Sequence, residues 1–383
     1  MDFAPDPDQR LLADSIHALG VALNAPDEHD RSGGPYFSRQ KWRRCGEFGL
    51  LGLSLPERWG GLGLDSLSTA LAIEAFARGH EDMGLVFSAC AHLFACAMPI
   101  AAHGTDSVRD EVLPKLGSGE WIAANAITEA EAGSDVYAMR ATAVRDGDRY
   151  VLDGVKNYVT NAPLADVFVV YASTDPRSGY LGISAFVVHR DTPGVTVGSP
   201  LPKTGLASSP LAPVYLDGVA VPVANRLGGE GEGRDVFTGS MEWERTCLFA
   251  AYVGAMDRQL GRTVAYTSER RQFRKPLARH QAVAHRLADM KLRLESARLL
   301  LYRACWARDQ GTARPLDVSL AKLGVSEAAT RNALDAVHLH GGAGIVDGSG
   351  VEQAIADAVP ASLFSGTSEI HRDVIAAELR RET

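Results

Sequence analysis

From Gln9 to about Trp121 the apolar positions recur at helical spacing. Trp42, Cys45 and Phe48 to Leu50 fall on one stripe, and the runs Leu67 to Ala77 and Val86 to Ile100 are alanine-rich with few β-branched residues. Between Leu51 and Leu64 the segment LGLSLPERWGGLGL breaks the pattern, and Pro56, Gly60, Gly61 and Gly63 mark it as a loop. Near Ile122 the periodicity changes. Short β-branched and aromatic runs now alternate with turn residues: Tyr150 to Leu152, a turn at Asp153-Gly154, then Val155 to Thr160, which reads as a hairpin. Val167 to Tyr171, Ile183 to Val188 and Val214 to Leu216 add further strands. After the glycine-rich stretch Gly228 to Gly233 the helical period returns. Met241, Glu244, Leu248, Ala251 and Ala255 share one helix face, and Val283 to Ala307 is amphipathic through Leu287, Met290, Leu294 and Leu301. The pattern predicts an α+β protein in three parts: a helical domain over 1–121, a β domain over 122–230 and a helical domain over 231–383.

Composition narrows the function classes. The chain has 383 residues, 46% hydrophobic and 22% charged, enough to bury a large core. A formal charge of -8 and the lack of a Lys/Arg run argue against a nucleic-acid partner. The acidic, proline-containing start is unlike a signal peptide, and the Gly84 to Ile100 run, interrupted by His92, reads as too short to span a bilayer. The expectation is a soluble, cytoplasmic protein with no membrane partner. Cys45, Cys90, Cys96, Cys247 and Cys305 are odd in number and lack metal-ligand spacing, so reduced, buried thiols are expected. His280 with His285, and His338 with His340, have no carboxylate partner at ligand spacing, so no metal is expected.

Five segments carry candidate chemistry: AITEAEAGSD (126–135), VLDGVKNYVTNA (151–162), SERRQF (268–273), HGGAG (340–344) and GTSEI (366–370). In the first, Thr128, Gly133 and Ser134 offer a hydroxyl and backbone N–H groups on a loop of small residues that a flat polar ring can approach. An ordinary surface turn explains them equally well from spacing alone, as strand packing explains Tyr158 and Thr160. Arg270 can pair with pyrophosphate, and glycine admits backbone to phosphate, but a charged helix end is the plain alternative.

Together, in this order and over nearly the whole chain, the five segments resemble the acyl-CoA dehydrogenase family. The resemblance implies a helical N-terminal domain, a middle β-barrel and a C-terminal four-helix bundle, with FAD at their junction. It implies that Asn125, Ile127, Thr128, Gly133 and Ser134 meet the flavin edge and that Ser134 also lies near the substrate's pantetheine arm. Tyr158 would pack beside the flavin, with Thr160 on the same strand. Arg270, Gln272 and Phe273 would reach the FAD of a neighbouring subunit, with Gln281, His338 and Gly342 completing that cradle; Thr367 and Glu369 also belong to the cofactor set. A homo-oligomer, tetramer or dimer, follows. The family has glycine after Phe273, and this chain has Arg274.

Dehydrogenating a thioester requires a base for the α-proton on the face opposite the flavin, and donors on the thioester carbonyl worth about 3 kcal/mol each. Most members of the family place a glutamate just before the Gly-Thr of the last motif. Here that position is Ser365, which has no suitable pKa of its own. The isovaleryl and long-chain enzymes instead use a helix Glu-Arg pair, and Glu244-Arg245 stands at the matching place. Glu244 shares its face with apolar residues, so partial desolvation is expected to raise its pKa. Glu244 is therefore the expected base and Glu242 a plain surface charge. Ser365 leaves room and offers its backbone N–H to the carbonyl, and Arg245 is a structural neighbour in the substrate-binding set.

More locally, ACAHLFACAMPI (89–100), AANAITEAEAGSDVY (123–137), MKLRLESARLLLYRACWARDQG (290–311) and FSGTSEI (364–370) resemble the branch that oxidises aminoacyl groups on carrier proteins, such as prolyl-carrier-protein dehydrogenases of specialised metabolism. Leu93, Phe94 and Phe364 are expected to line the acyl pocket. A short or branched-chain acyl-CoA is the alternative substrate; an acyl thioester oxidase and a catalytically silent flavoprotein are further alternatives. The family's usual electron acceptor is an electron-transferring flavoprotein.

Overall fold

The computed structural model describes residues 5–26 and 37–382. Its first layer comprises helices α1 (Pro7–Ala22), α2 (Arg39–Glu47), α3 (Ser66–Gly79), α4 (Met83–His92), α5 (Met98–His103) and α6 (Asp106–Gly117). Asp6 starts α1 through a capping box: its carboxylate accepts from Gln9 N at 2.8 Å, and the Gln9 side chain accepts from Asp6 N at 3.0 Å. α1 and α3 cross where both backbones are bare. A Cβ on Gly20 would lie 2.7 Å from Phe76 O, and one on Gly79 would lie 2.4 Å from His17 O. Only glycine permits that approach.

α4 and α5 form one continuous helix through a π turn, Leu93–Ala97. The apolar run is thus longer than the sequence suggested. Met83–His103 spans 21 residues and is long and apolar enough to cross a membrane, yet 78% of its most apolar window is buried inside the protein. His92 does not interrupt it. The ring is buried, Nε2 donates to Leu116 O (3.1 Å), Nδ1 accepts from Ala123 N (3.0 Å), and desolvation pushes its pKa down to about 4, so it packs as a neutral group.

The middle region is a mixed sheet of β1 (Ala123–Ala126), β2 (Thr142–Asp146), β3 (Arg149–Thr160), β4 (Val167–Ser173), β5 (Ile183–His189), β6 (Val195–Val197), β7 (Leu211–Pro222) and β8 (Arg226–Leu227). The order is β6-β7-β3-β2-β4-β5-β8, with β1 parallel to β4. Tyr150, Leu152, Phe168, Val170, Phe186 and Val214 pack together on one face; Val167, Val169, Tyr171, Ile183, Ala185 and Val187 turn the other face to the helices. This alternation places one wall of the site. The expected hairpin turn at Asp153-Gly154 is not a turn. β3 runs straight through it, with a register shift against β7 between Leu152 and Gly154. Gly154 sits at φ 147°, and a Cβ there would lie 2.6 Å from that of Ala141, so the residue serves a bulge. The true hairpin joins β2 to β3 around Gly147 (φ 63°).

The last layer comprises α7 (Gly233–Trp243), a π turn at Glu244–Leu248, α8 (Ala250–Glu269), α9 (Gln281–Asp309), α10 (Pro315–His340), the short α11 (Gln353–Ala358) and α12 (Ser368–Glu382). α10 packs against α8, α9 and α12, giving the four-helix core. Arg298 ties this bundle to the first layer, meeting Glu74 at 2.9 Å and Asp257 at 3.1 Å.

Candidate active site

The chain dips out of α-helical register at two packed places. The π turns Leu93–Ala97 and Glu244–Leu248 lie against one another. Such turns insert one extra residue into a helix and recur at functional sites. At the second turn the Thr246 hydroxyl donates to the Glu242 carbonyl at 2.6 Å, taking up a backbone acceptor at the irregularity. The two turns are clamped by stacking: Phe94 and Trp243 have centroids 6.0 Å apart and planes 4° apart, and the Arg308 guanidinium covers the same indole at 3.6 Å.

Glu244 opens the second turn and is only 8% exposed. Burial pushes its pKa up to about 7, while a hydrogen bond from Ser365 and the charge of Arg245 limit the rise. The Ser365 hydroxyl donates to Glu244 Oε2. Arg245 Nε donates to the Ser365 carbonyl at 2.9 Å, and His371 Nε2 lies 3.2 Å from the same oxygen. Ser365 itself sits at φ 53° and Gly366 at φ 93°, a reversal that lets the loop turn its hydroxyl toward the carboxylate. Below it, the buried Lys322 ammonium donates to Gly366 O at 2.6 Å. Burial, then the nearby Arg245 charge, lowers the Lys322 pKa to about 8. Phe364 closes the apolar side through Phe87 (4.8 Å), Phe249 (5.2 Å) and Tyr252 (6.1 Å).

The structure therefore brings together Phe94, Glu244, Arg245, Phe364 and Ser365, while Glu242 is exposed. Leu93 and Phe94 are buried on the facing turn. A second group lies on the β domain. Asn125 has a buried Oδ1 without a hydrogen-bond partner among the described residues, Ile127 is buried, and Thr128 accepts from Asn157 N at 2.8 Å. Gly133 and Ser134 are exposed beyond it, Thr160 pairs with Leu211, and Tyr158 is 64% exposed at φ 55°. Thr367 and Glu369 open α12. A third group, Arg270, Gln272, Phe273, Gln281, His338 and Gly342, lies exposed where α8 meets α9 and α10 ends. Phe273 is 88% exposed, the most of any large apolar side chain described. Arg274, in place of glycine, takes the left-handed conformation at φ 66°.

Several supporting residues are not singled out by the sequence motifs. Beneath the 126–141 loop, Lys156 and Glu129 form a buried ion pair at 2.6 Å. Glu129 also accepts from Arg140 N and Ala141 N (2.6 and 3.0 Å), which ties both ends of the loop to one carboxylate. Trp243, Lys322 and His371 shape the surroundings of Glu244 and Ser365. A lysine alternating into the inner face of a predicted strand could have exposed the first pair; Lys322 depends on a contact across the bundle, whereas Trp243 adjoins Glu244 and His371 follows Ser365 by six residues without a motif to mark them.

Family models for the acyl-CoA dehydrogenase N-terminal, middle and C-terminal domains match residues 6–120, 124–219 and 231–380. The chain is 50% identical to an L-prolyl-[peptidyl-carrier protein] dehydrogenase of Pseudomonas fluorescens, covering 99% of this chain and 100% of the relative. A protein of the same name from a Serratia species is 40% identical over 99% of this chain and 98% of its own. Among solved structures, the FAD complex of PigA superposes with a TM-score of 0.96 at 40% identity, with both chains fully covered. The prolyl acyl carrier protein oxidase AnaB gives 0.94 at 39% identity, covering 98% of this chain and all of its own. With all three domain models matched in order across the chain, the protein belongs to the acyl-CoA dehydrogenase family.

Proposed function

We propose that the protein is an FAD-dependent dehydrogenase that takes hydrogen from the α and β carbons of an acyl thioester tethered to a carrier protein, with an aminoacyl group such as prolyl as substrate. The observation that carries this reading is the Glu244 carboxylate: buried, held by Ser365 and poised near pH 7. The names of the full-length relatives support the tethered prolyl group.

The residues present fit the cofactor. Tyr158 holds an exposed ring in a strained left-handed conformation, and among the described residues the buried Asn125 Oδ1 has no hydrogen-bond partner and Cβ atoms on Gly133 or Gly342 would meet nothing within 4 Å. Asn125, Ile127, Thr128, Gly133, Ser134, Tyr158, Thr160, Thr367 and Glu369 would hold FAD from one chain. Arg270, Gln272, Phe273, Gln281, His338 and Gly342 would hold it from a second copy, a reading supported by the exposure of Phe273 and of the apolar Leu292, Leu299 and Trp306 on the outside of α9. When bound, FAD supplies the acceptor for the β-hydride.

The chain's own part is acid–base and positional. Glu244 Oε2 removes the α-proton, and the surrounding Phe94, Trp243 and Phe364 keep water from competing for the carboxylate. The Ser365 N–H donates to the thioester carbonyl and acidifies the α-carbon. Ser134 meets the pantetheine arm, and Arg245 fixes the Ser365 carbonyl so that the loop keeps its shape.

Prolyl groups offered on carrier protein and on CoA, with anaerobic bleaching of the flavin band as readout, test the reading. Faster bleaching with the CoA form would remove the carrier-protein assignment. The oxidase name of one structural neighbour favours oxygen as a second acceptor, which peroxide release in air would reveal.

A further inference from the structure

β4 alternates faces, and on the side turned to the helices Val167, Val169 and Tyr171 stand in a row. Tyr171 is fully buried, and its hydroxyl completes no well-formed hydrogen bond among the described residues: the neighbouring Ser240 hydroxyl acts on it but gives its own proton to Phe237 O at 2.8 Å. Its ring meets Phe237 edge-on, centroids 6.0 Å apart at 81°, and Tyr137 meets the same Phe237 at 6.4 Å. Phe237, Ser240 and Glu244 are spaced three and then four residues apart, so they share one face of α7 as it enters its π turn. Tyr171 thus lies over the face that ends in the proposed base. Glu244 and Cys96 both act electrostatically on its phenol.

A phenylalanine would fill this apolar site without forfeiting the hydration of a hydroxyl. A hydrocarbon acyl chain offers that hydroxyl nothing. An α-amino acyl group does, because its nitrogen is bonded to the same α-carbon from which Glu244 takes the proton. Any group that binds that nitrogen must reach the helix face that carries the base, and Tyr171 packs on that face through Phe237.

We propose that Tyr171 is the specificity-determining residue for amine-bearing acyl groups, its hydroxyl donating a hydrogen bond to the uncharged amine nitrogen of the tethered substrate. The bond turns the α-hydrogen toward Glu244. Burial pushes the phenol's ionisation well above its ordinary range, so it remains a donor at every working pH. This assignment rests on the tethered aminoacyl reading.

The test uses the FAD-loaded Tyr171→Phe enzyme and two acyl groups on the same pantetheine carrier: prolyl, and cyclopentanecarbonyl, which has a ring of the same size with carbon in place of nitrogen. Tyr171→Phe is expected to slow anaerobic flavin bleaching by prolyl about 10- to 100-fold and to leave the rate with cyclopentanecarbonyl within about twofold. An equal loss with both groups would mean that the ring only packs, and no loss with either would mean that the hydroxyl is unused; each result removes the proposal. Wild-type enzyme that bleaches with cyclopentanecarbonyl and not with prolyl would instead sink the aminoacyl reading, and this inference with it.

Discussion

The Ser365 hydroxyl donates to the carboxylate of Glu244 across 121 positions of sequence. Serine thus stands where the family resemblance would place the base and acts on the proposed base, the carboxylate that opens the π turn after α7. The bond favours the ionised carboxylate, opposing the burial that raises its pKa to about 7. In wild type the rate of flavin reduction should rise with pH through about 7 as the carboxylate forms. Ser365→Ala removes the donor, so the same limb should move to higher pH, with its plateau lowered less than its value at pH 6. A pH profile of the reductive half-reaction checks this; an unshifted limb would detach Ser365 from the base.

Glu244→Gln should retain FAD and lose about 10²–10⁴-fold in the rate of anaerobic bleaching. It also has a stability signature. Glu244 binds its proton more tightly folded than unfolded, so its stabilising contribution is complete below pH 4.5 and is lost as pH rises through about 7. The span from 4.5 to about 7 corresponds to about 3 kcal/mol. Relative to wild type, the Gln variant should therefore gain stability between pH 5 and 8.5. Urea unfolding of both proteins at the two pH values measures the gain, and parallel pH dependences would contradict a buried, elevated carboxylate.

The motifs named a candidate site in the sequence because loop chemistry is local: Thr128, Gly133, Ser365 and Gly366 are marked by short spacings and backbone freedom. The α–β–α order was equally legible, since period 3.6 and period 2 differ over any dozen residues. Two things were not. The π turns at Leu93 and Glu244 leave no mark on a periodicity that tolerates one-residue drift, yet they bring Phe94 and Trp243 face to face. Asp153-Gly154 has turn composition but sits mid-strand, because a bulge and a turn both need the conformations that glycine permits. Lys322 meets Gly366 across 44 positions through the bundle, a relation no local pattern encodes.

The ion pair under the 126–141 loop is a structural commitment. Burial pushes the Glu129 carboxyl up, and the Lys156 ammonium with the Arg140 and Ala141 amides outweighs it, holding the group below its ordinary range. Lys156→Met leaves that carboxylate buried beside two amides and should cost about 3–5 kcal/mol in urea unfolding. The double variant Glu129→Gln, Lys156→Met should recover part of this loss, because no charge remains to be desolvated. If the double variant is the worse of the two, the pair is not what holds the loop.

Arg274 occupies a left-handed conformation at φ 66°, next to Phe273 at φ 49°. A side chain there costs about 1–2 kcal/mol relative to glycine, against about 0.5–1 kcal/mol for glycine's extra freedom when unfolded. Arg274→Gly should therefore leave stability unchanged or raise it by up to about 1.5 kcal/mol. The larger effect is expected on the cofactor: the loop 271–279 regains the family's backbone, and FAD should be retained better on dilution. Fluorescence of released flavin follows this directly, and weaker retention would show that the guanidinium itself helps to hold the cofactor.

All five cysteines are buried, and burial raises the Cys45 thiol to about 12 and places Cys90, Cys96 and Cys305 well above their ordinary range. For Cys305 a hydrogen bond with Cys247 contributes more than burial. Thiolates are the reacting species, so the native holoenzyme should consume almost none of an aromatic disulfide reagent at pH 8, and the urea-unfolded chain should consume five equivalents. Cys96 is the informative member, because it lies on the π turn facing Glu244 and its thiol responds to that carboxylate. If the pocket opens to admit a pantetheine arm, slow labelling of one thiol should appear in the substrate-free enzyme and map to Cys96. Bound substrate should suppress that labelling. A first labelled thiol at Cys45, on α2 and away from the pocket, would instead indicate partial unfolding of the N-terminal helices.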